Sequence, residues 1–188
     1  CLSDWSSDVC SSDLRELGTR ADPARDVIRV DDRAIAEPEE LVWYVLYKPE
    51  RVVTTLSDPQ GRRTVGDLLR GVDARVYPVG RLDYDAEGVL LLTNDGDLAH
   101  KLTHPRWGAR RTYLAKVKGE PSDEALRRLL DGVRLEDGMA RAIEATFEKR
   151  TQKNTWIRLV VAEGRHHLVK RLCEAIGHPV LRLFRAEY

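Results

Sequence analysis

Apolar and polar positions organise the chain from residue 41 onward into short elements. Residues 43–47 are β-branched and aromatic and predict a strand, closed by Lys48-Pro49. Pro59-Gln60-Gly61 marks a loop, and Thr64 is placed to cap a short helix over residues 65–69. Residues 89–92 are pure hydrocarbon and predict a buried strand, stopped by Asn94-Asp95-Gly96. Asp97 then caps a helix reaching about His104, where Pro105 ends it. Residues 112–117 alternate as a strand does. Residues 122–130 place Ala125, Leu126, Leu129 and Leu130 on one helical face. Residues 140–147 and 155–161 predict two further strands, paired with each other. After Gly164 the clearest helix begins: Leu168, Val169, Leu172, Cys173 and Ile176 share one face, and Gly177 with Pro179 stops it. Helices and strands mix without βαβ regularity, which predicts an α+β fold on a mainly antiparallel mixed sheet with flanking helices.

The first forty residues read differently. Residues 1–14 repeat Ser-Ser-Asp and carry neither period, so they are expected to be a disordered or non-native lead. Residues 15–40 form a small separate unit: a strand over residues 26–30, a turn at Asp31-Asp32, an apolar step at Ala34-Ile35, and the polar linker 36–40. Residues 41–188 are the main domain.

Composition narrows the class. With 188 residues, 42% apolar and 33% charged, the chain can bury a core and is neither collagenous nor wholly disordered. No uncharged apolar run, neither residues 41–47 nor residues 88–93, approaches the roughly 20 residues of a spanning helix, and no export signal is expected. Three cysteines, Cys1, Cys10 and Cys173, make no disulfide framework and no CxxC pair, so a reduced, cytoplasmic location is expected. The formal charge is zero, but residues 1–40 hold five basic against eleven acidic side chains. The main domain therefore carries a net charge of +6, much of it arginine, which suits a polyanionic partner.

Candidate chemistry concentrates in residues 80–88, where Asp83, Asp85 and Glu87 precede the buried strand. On spacing alone, a solvated turn accounts for them better than a reactive site does. A calcium loop matches at its first positions and then fails, because Asn94 stands where a bidentate glutamate belongs. His100 and His104 share a helix face, but Lys101 stands where a zinc protease has its glutamate, and no third ligand is near. Neither a metal nor an organic cofactor is expected. Asp83 and Asp85 are too close together for a glycosidase pair with a sugar between them. The basic clusters are Arg62-Arg63, Arg110-Arg111, Lys116/Lys118 and Arg165/Lys170/Arg171, interleaved with Trp107, Tyr113 and Trp156. That mixture suits unpaired RNA, where guanidinium meets phosphate and rings stack on bases, although each cluster alone also reads as solvated surface.

Four motifs in order now carry a resemblance. Gly80-Arg81-Leu82-Asp83 with residues 87–96 (EGVLLLTNDG) resembles the signature of bacterial rRNA pseudouridine synthases of the small-subunit and large-subunit branch. Tyr47-Lys48-Pro49, Arg111-Thr112-Tyr113-Leu114, and residues 163–172 with 177–183 resemble the other motifs of that family. The resemblance covers residues 41–188. Residues 15–40 resemble the tail of the small S4-type RNA-binding domain preceding it. The chain is then expected to be a fragment at both ends, its last strand leaving an unpaired sheet edge.

The resemblance implies isomerisation of a uridine to pseudouridine in ribosomal RNA, without metal or cofactor, by a chain acting as a monomer. It implies Asp83 as nucleophile, with both attack on the sugar and assistance of a glycal route open to it. Burial alone favours the protonated acid, so a cation must keep it ionised, and by motif position that cation is Arg165. Tyr113 would stack on the flipped base. Arg81, Arg111, His167, Lys170 and Arg171 would hold RNA, and Leu181 would line the pocket. Leu168 departs from the family pattern, which has a glutamine there. Residues 58–65 and His104-Pro105 resemble large-subunit more than small-subunit enzymes, implying 23S rRNA, with 16S rRNA as the alternative substrate. A catalytically silent RNA-binding or ribosome-assembly module on the same scaffold is the alternative, and the presence of Asp83, Tyr113 and Arg165 together favours the enzyme.

Overall fold

A computed structural model describes residues 29–30, 33–34 and 39–188. The chain divides into two units, residues 1–40 and 41–188. In the first, β1 (Arg29–Val30) pairs antiparallel with β2 (Arg33–Ala34). The predicted lead over residues 1–14, most of the strand predicted over 26–30 and the turn at Asp31-Asp32 lie outside the described residues.

The second unit is α+β. Its seven-stranded sheet runs in the order β3 (Trp43–Lys48), β5 (Ala86–Thr93), β11 (Val180–Glu187), β6 (Arg111–Lys118), β10 (Asn154–Val161), β9 (Glu144–Arg150). β4 (Tyr77–Pro78) pairs with the far end of β5. Every pairing is antiparallel except that of β5 with β11. Three helices accompany the sheet: α1 (Gly96–Thr103), α2 (Asp123–Asp131) and α3 (Leu168–Ala175). β7 (Val133–Leu135) and β8 (Gly138–Ala140) form a separate hairpin.

One face of the sheet carries the core. Leu90, Leu92, Ala115, Val117, Ile157 and Leu159 are fully buried there, clustered with Leu126 and Leu129 of α2 and with Leu168, Leu172 and Cys173 of α3. These are the alternate strand positions and the helical stripes that the sequence pattern selects. Burial in that core pushes the Cys173 thiol up to about 12, so it remains a neutral, apolar filler.

Four expectations change in detail. The helix cap before α1 is Asp95, whose Oδ1 accepts from Leu98 N at 2.9 Å, because Asp97 already lies in the first turn. The helix expected over 65–69 is a 3₁₀ turn, Gly66–Leu68, and Asp67 reaches back to accept from Thr64 N at 2.8 Å. The strand expected over 140–147 is broken, its ends belonging to β8 and β9. β11 is not an open edge: it lies inside the sheet, with β5 on one side and β6 on the other.

Gly88 explains how β5 and β11 meet. It has φ +117°, and a Cβ there would lie 2.2 Å from the Arg185 carbonyl oxygen. Only glycine allows the parallel strand so close at that point.

Candidate active site

Asp83 sits in the turn that feeds β5, and the backbone around it is pinned from four directions. Thr54 Oγ1 donates to Leu82 O at 2.6 Å and accepts from Leu82 N at 3.2 Å. Arg51 N donates to Tyr84 O at 2.7 Å. Lys48 Nζ, fully buried, donates to Ala86 O at 2.8 Å and to Pro49 O at 3.0 Å. Arg185, also buried, donates from Nε to Val89 O at 2.7 Å and from a terminal nitrogen to Arg81 O at 3.4 Å. The carboxylate is thus held on a fixed loop at the mouth of the central strands, with about a quarter of its side chain exposed.

That loop opens into a cavity of about 350 Å³, lined by Arg81, Asp83, Tyr113, Arg165, His166 and His167 among others. This volume lies within the range of small-ligand pockets. Tyr113 comes from β6 and Leu183 and Arg185 from β11, so the cavity floor is the sheet itself. The Tyr188 ring lies between two guanidiniums, 4.9 Å from Arg111 and 4.9 Å from Arg185.

The cation at Asp83 is Lys170. Its Nζ is 3.1 Å from Asp83 Oδ2 and 2.5 Å from Asp85 Oδ1. Lys170 projects from α3, whose first turn therefore brings an ammonium to the carboxylate pair. Partial burial opposes its charge, but the hydrogen bond to Asp85 and the field of Asp83 outweigh that and hold the ammonium above its usual range. The same contact overcomes the burial of Asp85 and holds its carboxyl below the usual range. Lys48 adds a second cation. Burial pushes it down to about 8, against the upward pull of Asp83 and Asp85, so at neutral pH it is still mostly charged.

His167 completes the ring of groups. Its Nε2 is 3.5 Å from Asp83 Oδ1, and its ring stacks on His166 with centroids 3.7 Å apart. It precedes α3 with φ +51°, one of only two non-glycine residues with positive φ among those described.

Other expected site residues fall differently. Arg165 lines the cavity but does not pair with Asp83: its guanidinium binds Glu163 at 2.7 Å, Asp137 at 3.1 Å and the Met139 carbonyl at 2.6 Å. Three acceptors on its own side of the cavity turn it toward the β7–β8 hairpin. Arg171 joins it there, 2.8 Å from Asp137 Oδ2, and does not reach the cavity. Arg111 is a buried cavity wall, donating to Leu102 O at 2.8 Å and Tyr188 Oη at 3.3 Å. Arg81 lines the cavity with an exposed side chain. Leu181 is 55% exposed and lies outside the cavity, because it occupies the irregularity between Val180 and Arg182 in the pairing of β11 with β6; Leu183 takes the lining place. Lys48, Thr54 and Arg185 were not singled out from the sequence, although the lysine of Tyr47-Lys48-Pro49 was in view. Among the described residues no group of three or more His, Cys, Asp or Glu is placed to hold a metal, and no helix is long and apolar enough to cross a membrane.

An aspartate fixed on a strand-leading turn and in contact with an ammonium, and a tyrosine lining the same cavity, make up a site of small-ligand size. The RNA pseudouridylate synthase family matches residues 42–175. Ribosomal large subunit pseudouridine synthase B of Bacillus subtilis (strain 168) is 46% identical over 178 residues, spanning 93% of this chain and 72% of that protein. An uncharacterized RNA pseudouridine synthase of Aquifex aeolicus (strain VF5) is 41% identical over 173 residues, spanning 92% and 69%. A solved pseudouridylate synthase superposes with a TM-score of 0.68 at 27% identity, over 89% of this chain and 70% of that one. The chain belongs to the RNA pseudouridylate synthase family, and it is an enzyme of that kind.

Proposed function

We propose that this chain isomerises a uridine of ribosomal RNA, in the large-subunit 23S species, to pseudouridine, with Asp83 as the nucleophile toward a base turned out of its helix. The observation that carries the reading is the contact of Lys170 with Asp83 in a cavity that also presents Tyr113. The similarity to the Bacillus subtilis large-subunit enzyme supports the choice of RNA. The remnant of an S4-type domain over residues 15–40 belongs to the same proposal.

The step balances without a redox partner. A carboxylate oxygen of Asp83 bonds to C1′ as the N1–C1′ bond breaks, and the electron pair leaves on the uracil ring. The freed base turns against Tyr113, and C5 attacks C1′ and displaces Asp83. C5 then loses its proton and N1 gains one. Lys170 and Lys48 place positive charge beside Asp83, which stabilises the negative charge that returns to it as it leaves C1′. Extruding the base requires unstacking, for which Arg81 at the cavity mouth supplies a phosphate or base contact.

The test is release of tritium from [5-³H]uridine in a 23S rRNA transcript, since the C5 hydrogen departs only when the C–C bond has formed. Release by the chain, lost in Asp83→Ala with the fold retained, supports the proposal. RNA binding without release from a protein extended to its relatives' length would favour the silent binding module instead.

A further inference from the structure

The face of the sheet opposite the core packed by α2 and α3 carries its own set of aromatic side chains. Tyr47 (55% exposed), Phe184 and Trp156 stand on it, from β3, β11 and β10. Tyr47 and Phe184 have ring centroids 6.4 Å apart. These rings, with Leu114 and Arg182, line an open groove of about 440 Å³.

The strand registers place cations among these rings. Arg182 of β11 is directly opposite Lys116 of β6, Lys116 is opposite Trp156 of β10, and Trp156 is opposite Lys149 of β9. One cross-strand row therefore reads Arg182, Lys116, Trp156, Lys149. Like charges at opposed positions repel, and strand neighbours stand only about 5 Å apart. Glu87, buried beneath the groove, neutralises Arg182 at 2.5 Å and also accepts from Tyr47 Oη. Lys116 and Lys149 have no ion pair among the described residues, and the other carboxylate lining the groove is Glu148.

We infer that this rear face is a second RNA-binding surface, which takes single-stranded RNA with bases stacked on Trp156, Phe184 and Tyr47 and phosphates at Lys116 and Lys149. Every base has a π-face, so such a platform holds sequence flanking a target without reading it. The position of the charge decides between occupants. The core of a protein–protein interface is depleted of charge, and covering two unpaired ammoniums with an apolar partner leaves them without water. A polyanion supplies the missing charges and leaves the rings their stacking role. The inference goes beyond the isomerisation and does not depend on turnover.

The experiment measures binding of the chain to fluorescent oligouridine by anisotropy across a salt series. Lys116→Ser/Lys149→Ser is compared with Lys101→Ser/Arg127→Ser, a charge-matched change on exposed helix positions. The rear-face pair is expected to weaken binding about tenfold at low salt and to flatten the log–log salt slope by about 1.4, two single-strand phosphate contacts. Trp156→Leu is expected to weaken binding with the slope unchanged. Photo-crosslinking of the unaltered chain with 4-thiouridine oligomers keeps the inference testable should a variant misfold: adducts are expected in peptides 112–118 and 154–161. A slope equal to that of the control pair, or adducts confined to residues 80–85 and 163–170, would overturn it. So would a monomer–dimer equilibrium that the lysine changes shift while RNA affinity stays constant, which would assign the face to a second copy.

Discussion

Lys170 Nζ lies 3.1 Å from Asp83 Oδ2 while Arg165, on the loop just before α3, turns away to Asp137, Glu163 and a backbone carbonyl. One ammonium on the first turn of α3 thus serves both Asp83 and Asp85, and the arginine five residues earlier braces the β7–β8 hairpin. The two cations have separable jobs. Lys170→Met is expected to lower turnover about a hundredfold, roughly the loss of one preorganised charge contact, and Lys170→Arg to recover much of it. Arg165→Leu is expected to lower the unfolding free energy by about 1–3 kcal/mol, through unpaired Asp137 and Met139 groups, with a smaller effect on turnover per folded molecule. Single-turnover tritium release alongside urea unfolding separates the two. Equal losses of turnover with no stability difference would reverse the assignment.

Much of this site was legible in the chain. Asp83, Tyr113 and the basic stretch before and within α3 stand out because motifs are local in sequence. The partner of Asp83 was not, because which of Arg165, His167, Lys170 and Arg171 reaches it depends on where the positive φ of His167 starts α3. Lys48 was missed as a contributor for a similar reason: its 38-residue reach to Ala86 exists only once β3 pairs with β5. The main sheet elements followed from periodicity, but the interior place of β11, between a parallel and an antiparallel neighbour, is long-range pairing that no window of sequence contains.

Gly88 is expected to tolerate no side chain. The Cβ of Gly88→Ala would meet backbone atoms of Arg185, and φ +117° is strained for any L-residue. A loss of more than about 3 kcal/mol, or failure to fold, is expected. Gly61→Ala, also at positive φ but with open space around it, should cost about 1 kcal/mol. Urea midpoints of the two variants check the contrast, and a mild Gly88→Ala would mean that β5 and β11 are further apart than described.

Lys48 makes stability depend on pH in a defined direction. Its folded value, pushed down by burial to about 8, lies below the ordinary lysine value of 10.5. Between these two the unfolded chain binds more protons, so stability attributable to this group rises with pH across that window and is flat below it. Relative to Lys48→Met, the unaltered chain should gain unfolding free energy from pH 8 to 10, with a slope approaching about 1.4 kcal/mol per unit. In the same window the positive charge near Asp83 fades, so turnover should decline as stability grows. Parallel slopes for the two proteins would remove Lys48 as a buried, titrating cation.

The start of α1 offers a test confined to one turn of helix. Asp95 Oδ1 accepts from Leu98 N at 2.9 Å, and Asp95 N is itself held by Thr93 Oγ1 at 2.9 Å, which ties the cap to the end of β5. Asp97 lies within the first turn, where a carboxylate gains only from the helix dipole. Asp95→Ala should therefore lower stability by about 1 kcal/mol, and Asp97→Ala by a few tenths. Raising salt should shrink the second effect and spare most of the first, because a hydrogen bond to a fixed amide is less screened than a charge facing a dipole in water. Urea titrations at two ionic strengths decide it: a larger loss from Asp97→Ala would return the cap to that residue and move the first turn of α1 by two positions.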